Sequence, residues 1–287
     1  MVLPGATITS MGIYGENLIL DGYAVPRQRP LEEVTTELTA MLGDTDPGRR
    51  DGMAYTTLAG WVSSGAYDEL LEGLGNEMAT GLGVGLGESG SDTVFRRSFS
   101  ARALTECLLR DNEQHVVGEN AILQWGDRLA SWFLREEDLR GFVPGQGWAH
   151  AVAYGADAIG ALAGSAAIGQ LELTVLLDVL AERLIAPTEH RFVHGEADRM
   201  ALATMTILRR DLVDVDALAP WVARLAGHTP TTDEGAHADA SSANAQCYLR
   251  SLHMQLALTP KPPSCRSDLL LLVIDQLRKV NPNVLSG

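Results

Sequence analysis

His150, Tyr154 and Asp157 stand four and three residues apart, so on a helix they share one face. Imidazole, phenol and carboxylate aligned in this way can hold a polar ligand or shuttle a proton. The same groups can equally form a buried hydrogen-bond network that knits neighbouring helices together. The spacing does not choose between the two. Just upstream, Arg140-Gly141-Phe142-Val143-Pro144-Gly145-Gln146-Gly147 carries a proline and three glycines, a tight loop that delivers the helix start at Trp148.

A second chemically rich patch is His190-Arg191-Phe192-Val193-His194-Gly195-Glu196-Ala197-Asp198-Arg199. Two histidines four apart with two carboxylates close behind raise a metal site. Pro187 and Gly195, however, indicate a loop entering a helix, where Glu196 and Asp198 fall in the first turn and complement the helix dipole. The expectation is therefore no metal and no cofactor, with Arg199 pairing to Asp157 or Glu196 on a neighbouring helix. Arg96 and Arg97 open another helix; a guanidinium there suits a carboxylate or phosphate ligand, or a salt bridge to one of the chain's many acids. Ser63, Ser64 and Ser98 lack the Gly-x-Ser-x-Gly context of a hydrolase nucleophile. The run from Gly81 to Gly87 has no strand before it and no lysine near it, so it reads as a helix-ending loop and not a phosphate cradle.

These residues must be positioned by helices. Ala and Leu are abundant and aromatics make up only 6% of the 287 residues. Apolar residues recur at helical spacing over about 31–43, 50–63, 67–82, 92–111, 118–135, 148–163, 170–185, 196–210, 214–225, 241–257 and 265–279, with short Gly- or Pro-bearing loops between most of them. No strand-like alternation bounded by hairpin turns is visible. Residues 1–30 read as an irregular arm, residues 31–287 as the helical domain, and the polar stretch near 229–242 as a loop.

Every 46 to 52 residues one helix opens with polar or aromatic residues, at Arg49, Arg96, Trp148, Asp198 and Asn244. That period is close to two-helix HEAT-like units. The expected fold is all-α: an α-α superhelix of about five stacked helix pairs, whose inner helices line a groove with those polar openings. Arg96, Arg97, Trp148, His150, Tyr154, Asp157, Glu196, Asp198 and Arg199 are the candidate ligand-binding residues.

The run RGFVPGQGWAHAVAYGAD (140–157) resembles the signature of DUF2785, a family of uncharacterised bacterial proteins. Phe95-Arg96-Arg97-Ser98-Phe99-Ser100 and Glu196-Ala197-Asp198-Arg199-Met200-Ala201 resemble its other two recurring patches, so the likeness covers about residues 50–225. It implies an all-α fold and supplies no reaction. A second His often stands in that family where this chain has Tyr154, so the resemblance carries no metal site to His150 and Tyr154.

Charge and cysteines bound the function. With 37 acidic against 22 basic residues and a formal net charge of -15, the chain repels phosphate backbones and anionic membrane surfaces, so neither nucleic acid nor membrane is expected as a partner. Three widely spaced cysteines argue against a disulfide framework, and Cys107 lies in an apolar run that suits a core. No convincing signal peptide and no 18-residue apolar run are present, so a cytoplasmic location is expected. Three readings follow. The first is a binding module whose groove holds a small polar molecule or peptide. The second is an acidic interaction scaffold, or inhibitor or immunity-type protein, for a basic partner. The third is an enzyme using His150 with Asp157 or Glu196 as acid and base.

Overall fold

The structure, a computed structural model, describes residues 25, 29–228 and 240–281. Its helices are α1 (Leu31–Met41), a π-helical turn pair (Gly48–Tyr55) running directly into α2 (Thr56–Ser63), α3 (Leu71–Gly81), α4 (Thr93–Gln114), α5 (Glu119–Arg135), α6 (Ala151–Ala163), α7 (Gln170–Ile185), α8 (Glu196–Leu208), α9 (Val215–Gly227), α10 (Ala240–Leu258) and α11 (Arg266–Val280). They form an all-α superhelix. An inner row, the π-helix with α2, then α4, α6, α8 and α10, packs member against successive member, and α3, α5, α7 and α9 form the outer row of the same units.

The two rows follow from their sequences. Outer helix α5 buries Ile122, Trp125, Leu129, Trp132 and Phe133 on one stripe and turns its polar residues outward. Glu119 in its first turn and Arg135 in its last complement the helix dipole. Inner helix α6 is built largely from Ala and Gly and is buried nearly all round, because it is flanked on both sides by inner neighbours and backed by α5. A Cβ at Gly155 would lie 2.4 Å from the Phe133 ring, and one at Gly160 would lie 3.3 Å from the Ala203 backbone of α8. Only small residues permit these approaches, and they hold α6 close enough to its neighbours for side chains of three inner elements to meet.

Several boundaries differ from the sequence expectation. The helix expected over 50–63 is π-helical in its first half, and the one expected over 67–82 begins at Leu71 after a series of turns. The helix expected from Trp148 begins at Ala151, because Phe142–Val143 (β1) and Gly147–Trp148 (β2) pair as a two-stranded antiparallel hairpin. The tight loop expected over 140–147 is the turn of this hairpin: Gly145 and Gly147 take φ of 80° and 82°, which lets the chain reverse within three residues. Phe142 faces Trp148 across that hairpin, and Arg50 Nη2 donates to the Gln146 carbonyl at 2.7 Å, fastening its tip to the inner row.

Residues 82–87 are turns following α3, as expected of a helix-ending loop. Cys107 is fully buried in the core. Among the described residues no helix is long and apolar enough to cross a membrane. All but residues 25, 29 and 30 of the expected arm over 1–30, and most of the expected polar loop near 229–242, lie outside the described residues; 240–242 form the first turn of α10.

Candidate functional site

Four consecutive inner elements contribute side chains to one cavity of about 580 Å³. Asp51, Tyr55 and Thr56 come from the π-helix and the start of α2, and Arg102 comes from α4. Trp148 ends β2, His150 and Tyr154 begin α6, and His194 and Arg199 come from the loop and first turn of α8. The π-helix matters here because its wider turn re-aims side chains relative to an α-helix, a distortion frequent at functional sites.

His150 is the central group. It caps α6 in the left-handed conformation, φ 54° and ψ 33°, and its carbonyl accepts the Tyr154 N–H at 3.0 Å. Its ring stacks on Trp148, with centroids 4.4 Å apart, and meets Tyr154 edge-on at 5.5 Å. Its Nε2 lies 3.2 Å from the His194 carbonyl oxygen. Only an N–H can make that bond, so Nε2 carries a proton and, in the neutral ring, Nδ1 is the acceptor. Burial pushes the imidazole below its ordinary pKa, partly opposed by the Glu196 carboxylate. A neutral ring with a defined tautomer is thus held in the cavity wall.

Glu196 sits behind that wall. It is buried, accepts the His194 backbone N–H at 2.8 Å, and places Oε1 at 3.8 Å from both His150 Nε2 and His194 Nδ1. Gly195, with φ of 87°, makes the sharp entry into α8 that brings the His194 carbonyl over His150.

The charged groups are distributed asymmetrically. Arg199 pairs with Asp157 across α8 and α6, one of the two pairings expected. Burial raises the Asp157 pKa, and the Arg199 guanidinium counters that rise. Asp51 pairs with the fully buried Arg50 at 2.8 Å, and burial raises its pKa as well. Arg102 has no carboxylate at ion-pair distance among the described residues. Its guanidinium instead lies 3.7 Å from the Tyr55 ring centroid, 4.8 Å from that of Tyr154 and 5.4 Å from that of Phe99. Tyr55 donates its hydroxyl to Glu106 at 2.6 Å. Burial raises the Tyr154 pKa, keeping its phenol protonated.

Three of the expected site residues are elsewhere. Arg97 is sealed in the interior, donating to both oxygens of Glu136 and, through Nη1, to the carbonyls of Val84 and Gly85. Arg96 lies beside Gly81 and reaches Glu77 at 3.6 Å. Asp198 faces α10, where its carboxylate accepts the Ser251 hydroxyl. For Arg97 the reason is helical geometry: Arg97 and Arg102 are five residues apart, about 140° around the helix, so when one points into the cavity the other cannot. Trp148, His150, Tyr154 and Arg199 do meet at the cavity, with Asp157 bound to Arg199 and Glu196 behind the histidine pair, held by the His194 backbone N–H.

Sequence reasoning missed Asp51, Tyr55, Thr56 and Arg102 as cavity residues. A signal for two of them existed: Asp51 and Tyr55 are four apart in the segment opening at Arg49, which aligns with His150 and Tyr154 of the later unit. No local signal distinguished Arg102 from the other arginines of α4. Among the described residues no cluster of three or more His, Cys, Asp and Glu side chains has an arrangement that could hold a metal.

A sequence model of the family described as "Protein of unknown function (DUF2785)" matches residues 82–254. No curated protein and no solved structure matches the chain. The matched span includes Arg102, the hairpin, His150, Tyr154, Asp157, His194 and Arg199, and leaves the π-helical wall of the cavity outside it.

Proposed function

The chain belongs to the DUF2785 family, and since the description of that family assigns no activity, we propose from the site alone that this protein is a binding module whose inner-row cavity holds a small polar molecule. The observation that carries the reading is the convergence of aromatic and charged side chains from four successive inner elements on a single cavity of about 580 Å³. That volume falls in the range of small-molecule sites, which typically combine aromatic walls with a few fixed polar groups. Repeat proteins commonly place ligands on the face lined by their inner helices. The test is native mass spectrometry of the purified protein before and after denaturation. A stoichiometric small-molecule adduct lost on denaturation is the expected result; a clean mass, together with no thermal shift across a metabolite set, would remove the reading.

A second reading, an acid/base enzyme, is favoured by one specific feature: a neutral His150 whose tautomer is set by the His194 carbonyl and whose carboxylate neighbour is Glu196. Of the two partners considered from the sequence, Asp157 is committed to Arg199, so Glu196 is the one that would tune the imidazole. The net charge of -15 supports a third possibility, a basic protein partner, for which binding would weaken steeply with salt. We place the protein in the cytoplasm, in keeping with three cysteines that are all free.

A further inference from the structure

We infer that the ligand of this cavity carries an anionic group, a carboxylate or phosphate, bound by Arg102 with the Tyr154 hydroxyl as a second donor. The inference rests on the binding reading above and names the chemical class of its ligand. In an acidic chain, the cavity arginines are treated differently. Arg199 is already neutralised by Asp157, whereas Arg102 has no carboxylate partner among the described residues.

Arg102 is set among aromatic rings, with the Tyr55 hydroxyl beside it and no carboxylate at ion-pair distance among the described residues. The Tyr55 and Tyr154 rings lie against it, with guanidinium-to-centroid distances of 3.7 and 4.8 Å. Stacking occupies the faces of a guanidinium and leaves its in-plane N–H groups to donate, the geometry that matches two oxygens of a carboxylate or phosphate. The nearby acids are engaged by other groups: Glu106 accepts the Tyr55 hydroxyl at 2.6 Å, and Asp51 is paired with Arg50 at 2.8 Å. Tyr154 lines the same cavity, and its hydroxyl has no hydrogen-bond partner among the described residues. Its ring lies within reach of both arginines, 4.8 Å from Arg102 and 5.8 Å from Arg199. An anion at Arg102 would therefore meet a guanidinium that has N–H groups beyond the one facing Tyr55, together with a protonated phenol.

The test uses the full-length protein and three probes: benzoate, the isosteric neutral benzamide, and inorganic phosphate. Binding is followed by NMR, including the Arg102 Nε–Hε resonance. Benzoate is expected to bind at least about tenfold more tightly than benzamide and to shift that resonance, and Arg102→Gln to weaken benzoate by about tenfold or more. Phosphate binding with the same Arg102 dependence would support the inference and identify a phosphoryl ligand. Equal binding of benzoate and benzamide, or unchanged benzoate affinity in Arg102→Gln, would overturn the inference while leaving the pocket reading intact. Absence of binding by all three probes would also overturn it, and the pocket reading would then be decided by native mass spectrometry. Should Arg102→Gln fail to fold, the wild-type resonance and the benzoate–benzamide ratio still decide.

Discussion

Arg97 of α4 and Glu136, just beyond α5, form a two-pronged ion pair sealed from solvent. Nε reaches Oε2 at 2.6 Å and Nη2 reaches Oε1 at 2.7 Å, with side-chain exposures of 0% and 2%. Trp132 Nε1 also donates to this carboxylate at 2.7 Å, and Arg183 caps the Glu136 carbonyl. The pair ties the glycine-rich turn after α3, the start of α4 and the end of α5 into one unit. Removing one partner leaves a buried charge uncompensated, so Arg97→Ala should cost about 3–5 kcal/mol in chemical denaturation. Arg97→Lys should recover little, because a single ammonium cannot serve Glu136 and the Val84 and Gly85 carbonyls together. A loss under about 1 kcal/mol for Arg97→Ala would refute this assignment.

The Arg199–Asp157 pair should behave differently. Its side chains are 40% and 31% exposed, so a double-mutant cycle should return a coupling of about 1 kcal/mol or less. The combined His150→Ala and Asp157→Ala variant should then keep its fold and lose ligand binding. A collapse of stability by more than about 4 kcal/mol would instead make these residues the cement between α6 and α8.

His150 predicts a direction of pH dependence. Burial holds its folded-state pKa below the ordinary value of 6.5. As the pH falls through about 6.5, the unfolded chain takes up a proton that the folded protein refuses, so stability declines toward acid and levels off only below the folded pKa. His150→Gln should therefore flatten the loss of stability between pH 7.5 and 5.5, measured as the shift in urea midpoint. Parallel curves for the two proteins would show that His150 does not titrate as its burial requires. Nitrogen NMR of the imidazole should report the Nε2–H tautomer, and a dominant Nδ1–H signal would contradict the bond to the His194 carbonyl.

Two glycines separate support from site. A Cβ at Gly155 would meet the Phe133 ring at 2.4 Å and Trp132 at 3.0 Å. Both rings are fully packed, so Gly155→Ala should destabilise by about 1–3 kcal/mol. At Gly141 the Cβ would meet His194 Nδ1 at 2.2 Å, and this imidazole is partly exposed and free to turn away. Gly141→Ala should thus change thermal stability little while displacing His194 and altering binding in the cavity. The opposite ranking in melting temperature would show that the hairpin base, not the α5–α6 contact, is the rigid part.

Local physics made much of this legible from the chain. Helical spacing of apolar residues located the helices and their repeat, and the three-residue spacing of Tyr154 and Asp157 put them on one side of α6, with His150 just before its first turn. Glycine and proline marked the loops that enter α6 and α8, and the likeness to a family rested on those same segments. The tertiary structure alone decided which arginine of α4 faces the cavity, because that depends on how the helix is rotated against its neighbours. The burial that tips Arg97 toward Glu136 comes from elements nearly forty residues away. It alone set the His150 tautomer, through a carbonyl 44 residues downstream, and left Arg102 without an acidic partner while giving Arg199 one. Period and propensity are properties of neighbouring residues, whereas charge pairing and tautomer are properties of whatever the fold brings within three ångströms.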